Sequence, residues 1–170
     1  MAVREIVRFP DPRLRQAAAE VTRFDAALAA LAQDLRDTMK AAPGIGITAP
    51  HIGVAERLVV LDLPEEQGLI RIYVNPRVTW SSPEVGRHPE GSVSMPGVVD
   101  EVERPVRVRV QYQDLDGTPQ EVEADGLLAV CLQHEIDQLD GIFWLQKLSR
   151  LRRERVVKRF EKLMRAASGT

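Results

Sequence analysis

The segment running from Asp125 through Gly-Leu-Leu-Ala-Val-Cys-Leu-Gln-His-Glu-Ile-Asp-Gln-Leu-Asp to Gly141 constrains the fold most. It reads as a helix, with Asp125 as cap and Gly141 as stop. Leu127, Leu128, Cys131, Leu132, Glu135 and Leu139 run along one side. So apolar a helix belongs inside a domain, and polar residues at 134, 135 and 138 then need partners or a function.

The remaining elements surround such a helix. Residues 25–42 read as a helix capped by Asp25, with Leu28, Leu31, Leu35 and Met39 at helical spacing and Pro43-Gly44 as its end. Residues 57–63 read as a buried strand, 64–68 as a turn, and 72–76 as a short strand closed by Pro76. Val106 to Tyr112 alternates strictly, as a half-exposed strand does, and Asp116-Gly117 marks a hairpin turn into 120–124. Residues 149–167 read as a helix with Leu151, Val156, Phe160, Leu163 and Met164 as its apolar stripe. Strands followed by a buried helix, with helices at both ends, indicate an α+β fold of antiparallel sheets around that central helix. At 170 residues the chain suits one domain over 1–148, with 149–170 a basic amphipathic helix that is part of it or a docking tail.

Composition narrows the function classes. A single cysteine, Cys131, excludes an internal disulfide framework and a multi-thiolate metal site. No apolar run approaches the ~20 residues of a membrane span. With charges in its first ten residues and no secretory pattern, the expected location is cytoplasmic. The net charge of −2 hides an asymmetry: residues 147–170 hold nine Lys or Arg against two Glu. A basic helix of this kind meets a polyanion, or is a solvated face.

Three segments carry candidate chemistry. His134-Glu135-Ile136-Asp137-Gln138 is a His-Glu-x-x-His metal motif with its fifth position changed. Gly44-Ile-Gly-Ile-Thr-Ala-Pro-His51 has alternate glycines that admit a ligand close to the backbone. Residues 90–97, Glu-Gly-Ser-Val-Ser-Met-Pro-Gly, read as a loop. Each alone has an ordinary reading: a structural histidine, a turn, a surface loop.

Together, in this order, the three resemble the peptide deformylases, whose patterns are Gly-x-Gly-x-Ala-Ala-x-Gln, Glu-Gly-Cys-Leu-Ser and Gln-His-Glu-x-Asp-His-Leu-x-Gly. The similarity extends to Phe9-Pro-Asp-Pro-Arg-Leu14, Val74-Asn-Pro76, Arg104 with the strand that follows, and Gly126-Leu-Leu-Ala129. It implies an enzyme that removes the formyl group from the N-terminal methionine of new peptides. A divalent metal (iron, zinc or nickel) would be held by one Cys and two His. It further implies a partner in a peptide N-terminus bearing methionine. The basic C-terminal helix permits contact with the ribosome, with no membrane and no sequence-specific nucleic acid expected.

By this resemblance Glu135 is the general acid/base and His134 a metal ligand. Gly44, Gly46, Glu90 and Gly91 are the scaffold that binds substrate, and Ile45, Leu127, Val130 and Cys131 line the methionine pocket. Val93 supplies the backbone amide facing the oxyanion. Arg104 pairs with Glu90 or another acid, and His88 is a surface residue without a role. The departures fall on the chemistry. Ser92 stands in place of the metal-binding Cys, Gln138 in place of the second His, and His51 in place of the oxyanion Gln. An alcohol and a carboxamide are poor exchanges for a thiolate and an imidazole. The expectation is therefore no tightly bound metal and deformylation lost or much weakened. Three alternatives stay open. One is a relocated metal on His51, His134 and Glu135. Another is a metal-free hydrogen-bond network among His51, Ser92, His134, Glu135 and Gln138. The third is a hydrolase with Ser92 as nucleophile.

Overall fold

The computed structural model describes residues 2–66 and 68–169. The chain runs through α1 (Ala26–Ala41), β1 (Gly46–Thr48), β2 (Leu58–Asp62), β3 (Ile70–Ser81), β4 (Val85–Ser92), β5 (Met95–Pro105), β6 (Arg107–Gln113), β7 (Pro119–Asp125), α2 (Gly126–Leu139) and α3 (Arg150–Ser168). Five strands form an antiparallel sheet in the order β1-β2-β3-β6-β7, and β4 pairs with β5 in a separate antiparallel hairpin. No helix among the described residues is long and apolar enough to cross a membrane.

Strand β2 explains the layering. Its residues 58–61 are all fully buried because both faces of the sheet are covered. Val59 and Leu61 pack with Tyr73 against Ala129, Leu132 and Ile136 of α2. Leu58 and Val60 pack with Ile47 and Val74 against Leu28, Leu31, Leu35 and Met39 of α1. The helix α1 starts where expected, with the Asp25 carboxylate accepting the Leu28 N–H at 3.1 Å. A third apolar cluster joins Met95, Val98 and Val102 of β5 to Phe143, Trp144, Val156 and Phe160. The helix α3 therefore contributes two core side chains and leaves its basic face outside.

Three expectations need correction. Residues 90–97 are not a loop: β4 and β5 pair from Val85↔Pro105 to Ser92↔Met95. Gly, Pro and charged residues hide these strands from propensity, although 98, 100, 102 and 104 do alternate inward. Pro76 does not end β3, which continues to Ser81 across register shifts at 74–77 and 78–80. Asn75 takes a left-handed φ of 51° there, and its side chain clasps the backbone of Val21 through two hydrogen bonds of 2.8 and 3.0 Å. Asp125 precedes α2 in extended backbone but makes no side-chain capping bond. Gly141 does stop α2 at φ 79°, where a Cβ would lie 2.7 Å from the Arg15 carbonyl oxygen. The turn at 64–68 opens as a 3-10 turn, Pro64–Glu66, and its Gln67 lies outside the described residues.

Candidate active site

Helix α2 brings Gln133, His134, Glu135 and Gln138 into the interior, all less than one-tenth exposed. This stretch of the helix thus presents several polar groups, and they differ in what they meet.

His134 leads into a charged chain. Its Nδ1–H donates to Glu90 Oε1 at 2.8 Å. Arg104 grips the same carboxylate with two bonds, of 2.6 and 2.9 Å, and reaches Asp137 Oδ2 at 2.8 Å. Burial works against charge on Glu90, yet the hydrogen bonds from His134 and Arg104 outweigh it and hold the carboxyl down at about 2. Burial likewise opposes the His134 cation, but the Glu90 bond and the nearness of Glu135 leave it easier to protonate than an ordinary histidine. The sequence reading anticipated the Arg104–Glu90 pair and missed Asp137, whose spacing of three from His134 places both near one helix face.

Glu135 sits apart from that chain. The histidine nitrogens beside it are His134 Nε2 at 3.9 Å and His51 Nδ1 at 4.0 Å, neither within hydrogen-bond range. Its Oε2 is buried without a partner. Burial pushes this carboxyl up to about 7. His51 lies in the 3-10 turn, Ala49–Ile52, that follows β1, and its Nδ1 accepts the Thr48 N–H at 2.9 Å. That bond fixes the proton on Nε2, and burial drives the ring down to about 3, so it stays neutral.

The other two changed positions are also engaged. Ser92 Oγ accepts the Ser94 N–H at 3.1 Å. Gln138 Nε2 donates to the Leu14 carbonyl at 2.8 Å, outward from the site. The expected five-membered network is therefore not formed; the network present is His134–Glu90–Arg104–Asp137. Neither His51 nor His134 hydrogen-bonds Ser92 among the described residues, so the serine nucleophile lacks its base.

A cavity of about 420 Å³ opens over Glu135 and His134. Gly44, Ile45 and Gly46 form one wall, Leu127, Val130 and Cys131 a second, and Glu90, Gly91, Ser92 and Val93 a third. His51 and Gln138 are not part of its lining. His88 borders it too, with Pro96 and Val99, while remaining exposed at the surface as expected. Burial pushes the Cys131 thiol up to about 12, which makes it a small apolar wall residue.

The donor set does not fit a metal ion. Among the described residues no group of three or more His, Cys, Asp or Glu could hold one. His51 has its Nδ1 lone pair occupied by Thr48, so the relocated set of His51, His134 and Glu135 is not assembled either.

Comparison with known proteins agrees with this frame. The family model for polypeptide deformylase matches residues 3–154. A peptide deformylase-like protein of Brucella suis is 67% identical over 165 residues, covering 97% of this chain and all of that protein. A peptide deformylase of the same organism is 46% identical over 165 residues, covering 96% of this chain and 94% of that one. The crystal structure of a peptide deformylase from Legionella pneumophila superimposes with a TM-score of 0.93 at 39% identity, covering 99% of both chains.

Proposed function

The chain belongs to the polypeptide deformylase family, and from that membership we propose that it binds methionyl peptide N-termini in the inherited cleft while its metal-dependent deformylation is lost or strongly weakened. In the family the metal supplies a Lewis acid for the formyl carbonyl. Here the observation that carries the reading is the fate of Gln138. It stands where a ligand is required, and its amide is spent on the Leu14 carbonyl at 2.8 Å. Ser92 offers an uncharged alcohol, and only His134 keeps a ligand's chemistry.

What supports peptide binding is the rest of the cleft. The walls Ile45, Leu127, Val130 and Cys131 give the cavity an apolar side suited to a methionine side chain. Strand β1 is a sheet edge, paired among the described residues with β2 alone, and Gly44 before it and Gly46 within it leave the backbone open to an extended peptide. Brucella suis carries both a peptide deformylase and a peptide deformylase-like protein, and this chain is more similar to the latter.

Elemental analysis of the purified protein, with formyl-Met-Ala-Ser hydrolysis assayed under added iron, nickel, cobalt and zinc, tests the reading. The expected result is metal far below one ion per chain and turnover at background. Stoichiometric metal with fast turnover overturns it.

A second reading concerns α3. Arg155, Lys158, Arg159 and Lys162 are all exposed on it. Such a face suits ribosomal RNA phosphates through sequence-independent, salt-sensitive contacts. Reversing these four charges should abolish co-sedimentation with ribosomes at low salt, and an unchanged pellet leaves a merely solvated face.

A further inference from the structure

Resting on the peptide-binding reading above, we propose that the cleft selects a free N-terminal ammonium over a formylated N-terminus, with Glu135 as the counter-ion. The family's reaction product, not its substrate, is then the ligand of this chain.

The argument starts from which charges are already matched. Arg104 and His134 are hydrogen-bonded to Glu90 and Asp137, and these four groups satisfy one another at 2.6–2.9 Å. Glu135 is left over. It is 5% exposed, it lines the cavity, and neither of its oxygens accepts a hydrogen bond among the described residues. His51 cannot donate to it through Nδ1, which already accepts from Thr48. No Lys or Arg lines the cavity. A buried, unpaired carboxylate at the end of an apolar recess is costly until a cation arrives with it.

A methionyl peptide supplies that cation at the right place, one bond from the Cα that carries the side chain. With the thioether in the recess of Leu127, Val130 and Cys131, the amine lies toward Glu135. Gly46 keeps that approach clear only because it has no side chain: a Cβ there would crowd Glu135 Oε1 at 3.0 Å. Formylation removes the positive charge and sets a carbonyl oxygen, an acceptor, toward a carboxylate that can only accept. Without a metal to take that oxygen, the formyl group has lost its reason to bind.

Calorimetric titration of the whole chain with Met-Ala-Ser and formyl-Met-Ala-Ser at about pH 7.5, where much of the free amine is charged, reads the preference directly. The expected result is binding of the free amine at least ~10-fold tighter. Glu135→Gln should bring the two peptides within about twofold, by weakening Met-Ala-Ser alone. Should that variant fail to fold, the des-amino analogue of Met-Ala-Ser makes the same point on the wild type and should bind at least ~10-fold more weakly. Equal or tighter binding of the formylated peptide, or no loss with the des-amino analogue, overturns the selectivity and leaves the peptide pocket standing. If none of these peptides binds, the peptide-binding reading fails and this inference with it.

Discussion

Gln138 Nε2 donates to the carbonyl of Leu14, 124 residues earlier in the chain, at 2.8 Å. A position that the family's pattern reserves for a metal ligand here ties α2 to the amino-terminal segment. Leu14 is itself 1% exposed, so its carbonyl has no water to turn to. Replacing Gln138 by the similarly shaped Met should cost about 1–3 kcal/mol, the desolvation of one orphaned acceptor. Urea denaturation checks this, and an unmoved midpoint would remove the amide from any structural role.

The Glu90 carboxylate is the hub that Arg104 and His134 share. Glu90→Gln leaves Arg104 with half its partners and should destabilise the fold by about 3–5 kcal/mol. It should also reshape the acid limb. Glu90 titrates at about 2 when folded against 4.5 when free, so it adds stability above 4.5 that disappears as pH falls toward 2. Denaturation midpoints measured across that window should fall less steeply in the variant than in the wild type. Parallel curves would mean that Glu90 is not held ionised by its neighbours.

Glu135 has the opposite sign. Its carboxyl titrates at about 7 in the fold and 4.5 outside it, so the folded state holds the proton more tightly. Stability from this group is complete below 4.5 and declines as pH rises toward 7. Glu135→Gln, which never ionises, should therefore stabilise the protein by on the order of 1–3 kcal/mol above neutrality and do little in acid. Thermal denaturation at two pH values distinguishes this from a uniform effect.

The parts of this architecture that were legible in sequence are those with a local period. The stripe Leu28, Leu31, Leu35, Met39 and the alternation from Val106 to Tyr112 each express one face against one core. The β4–β5 hairpin was hidden because its pairing, not its composition, makes the strands: Arg87, His88, Pro89 and Glu90 find their ladder only against 100–103. At the site, the wall residues followed from the resemblance, since a wall needs only position. The hydrogen-bond partners did not. That Thr48 would take the Nδ1 of His51, and Leu14 the amide of Gln138, depends on distances between elements that no spacing encodes.

Cys131 should resist alkylation. Its thiol is buried and pushed up to about 12, so at neutral pH the reactive thiolate is nearly absent. Iodoacetamide followed by mass spectrometry should leave the native protein unmodified and label it fully in urea. Cys131→Phe, which fills the recess, should abolish methionyl peptide binding while the fold persists. Retained affinity would place the side-chain pocket elsewhere.

Restoring the three changed positions together tests whether they alone separate this chain from a metalloenzyme. Ser92→Cys returns a thiolate to the end of β4, Gln138→His returns an imidazole one helical turn from His134, and His51→Gln vacates a neutral ring beside Glu135. The support for one ligand already exists, because Glu90 orients His134 from its far nitrogen as a metal-bound histidine requires. The triple variant should therefore bind one iron, nickel or zinc ion per chain and hydrolyse formyl-Met-Ala-Ser. The single variants should gain little, because one added ligand leaves the set of donors short. Against this stands the Leu14 carbonyl, which loses the Gln138 amide; a metal-loaded triple variant should recover in holo stability what its apo form loses, and addition of a chelator should return it to the weaker state. A triple variant that folds yet takes up no metal would show that the backbone of the cleft, and not three side chains, has moved away from the metal site.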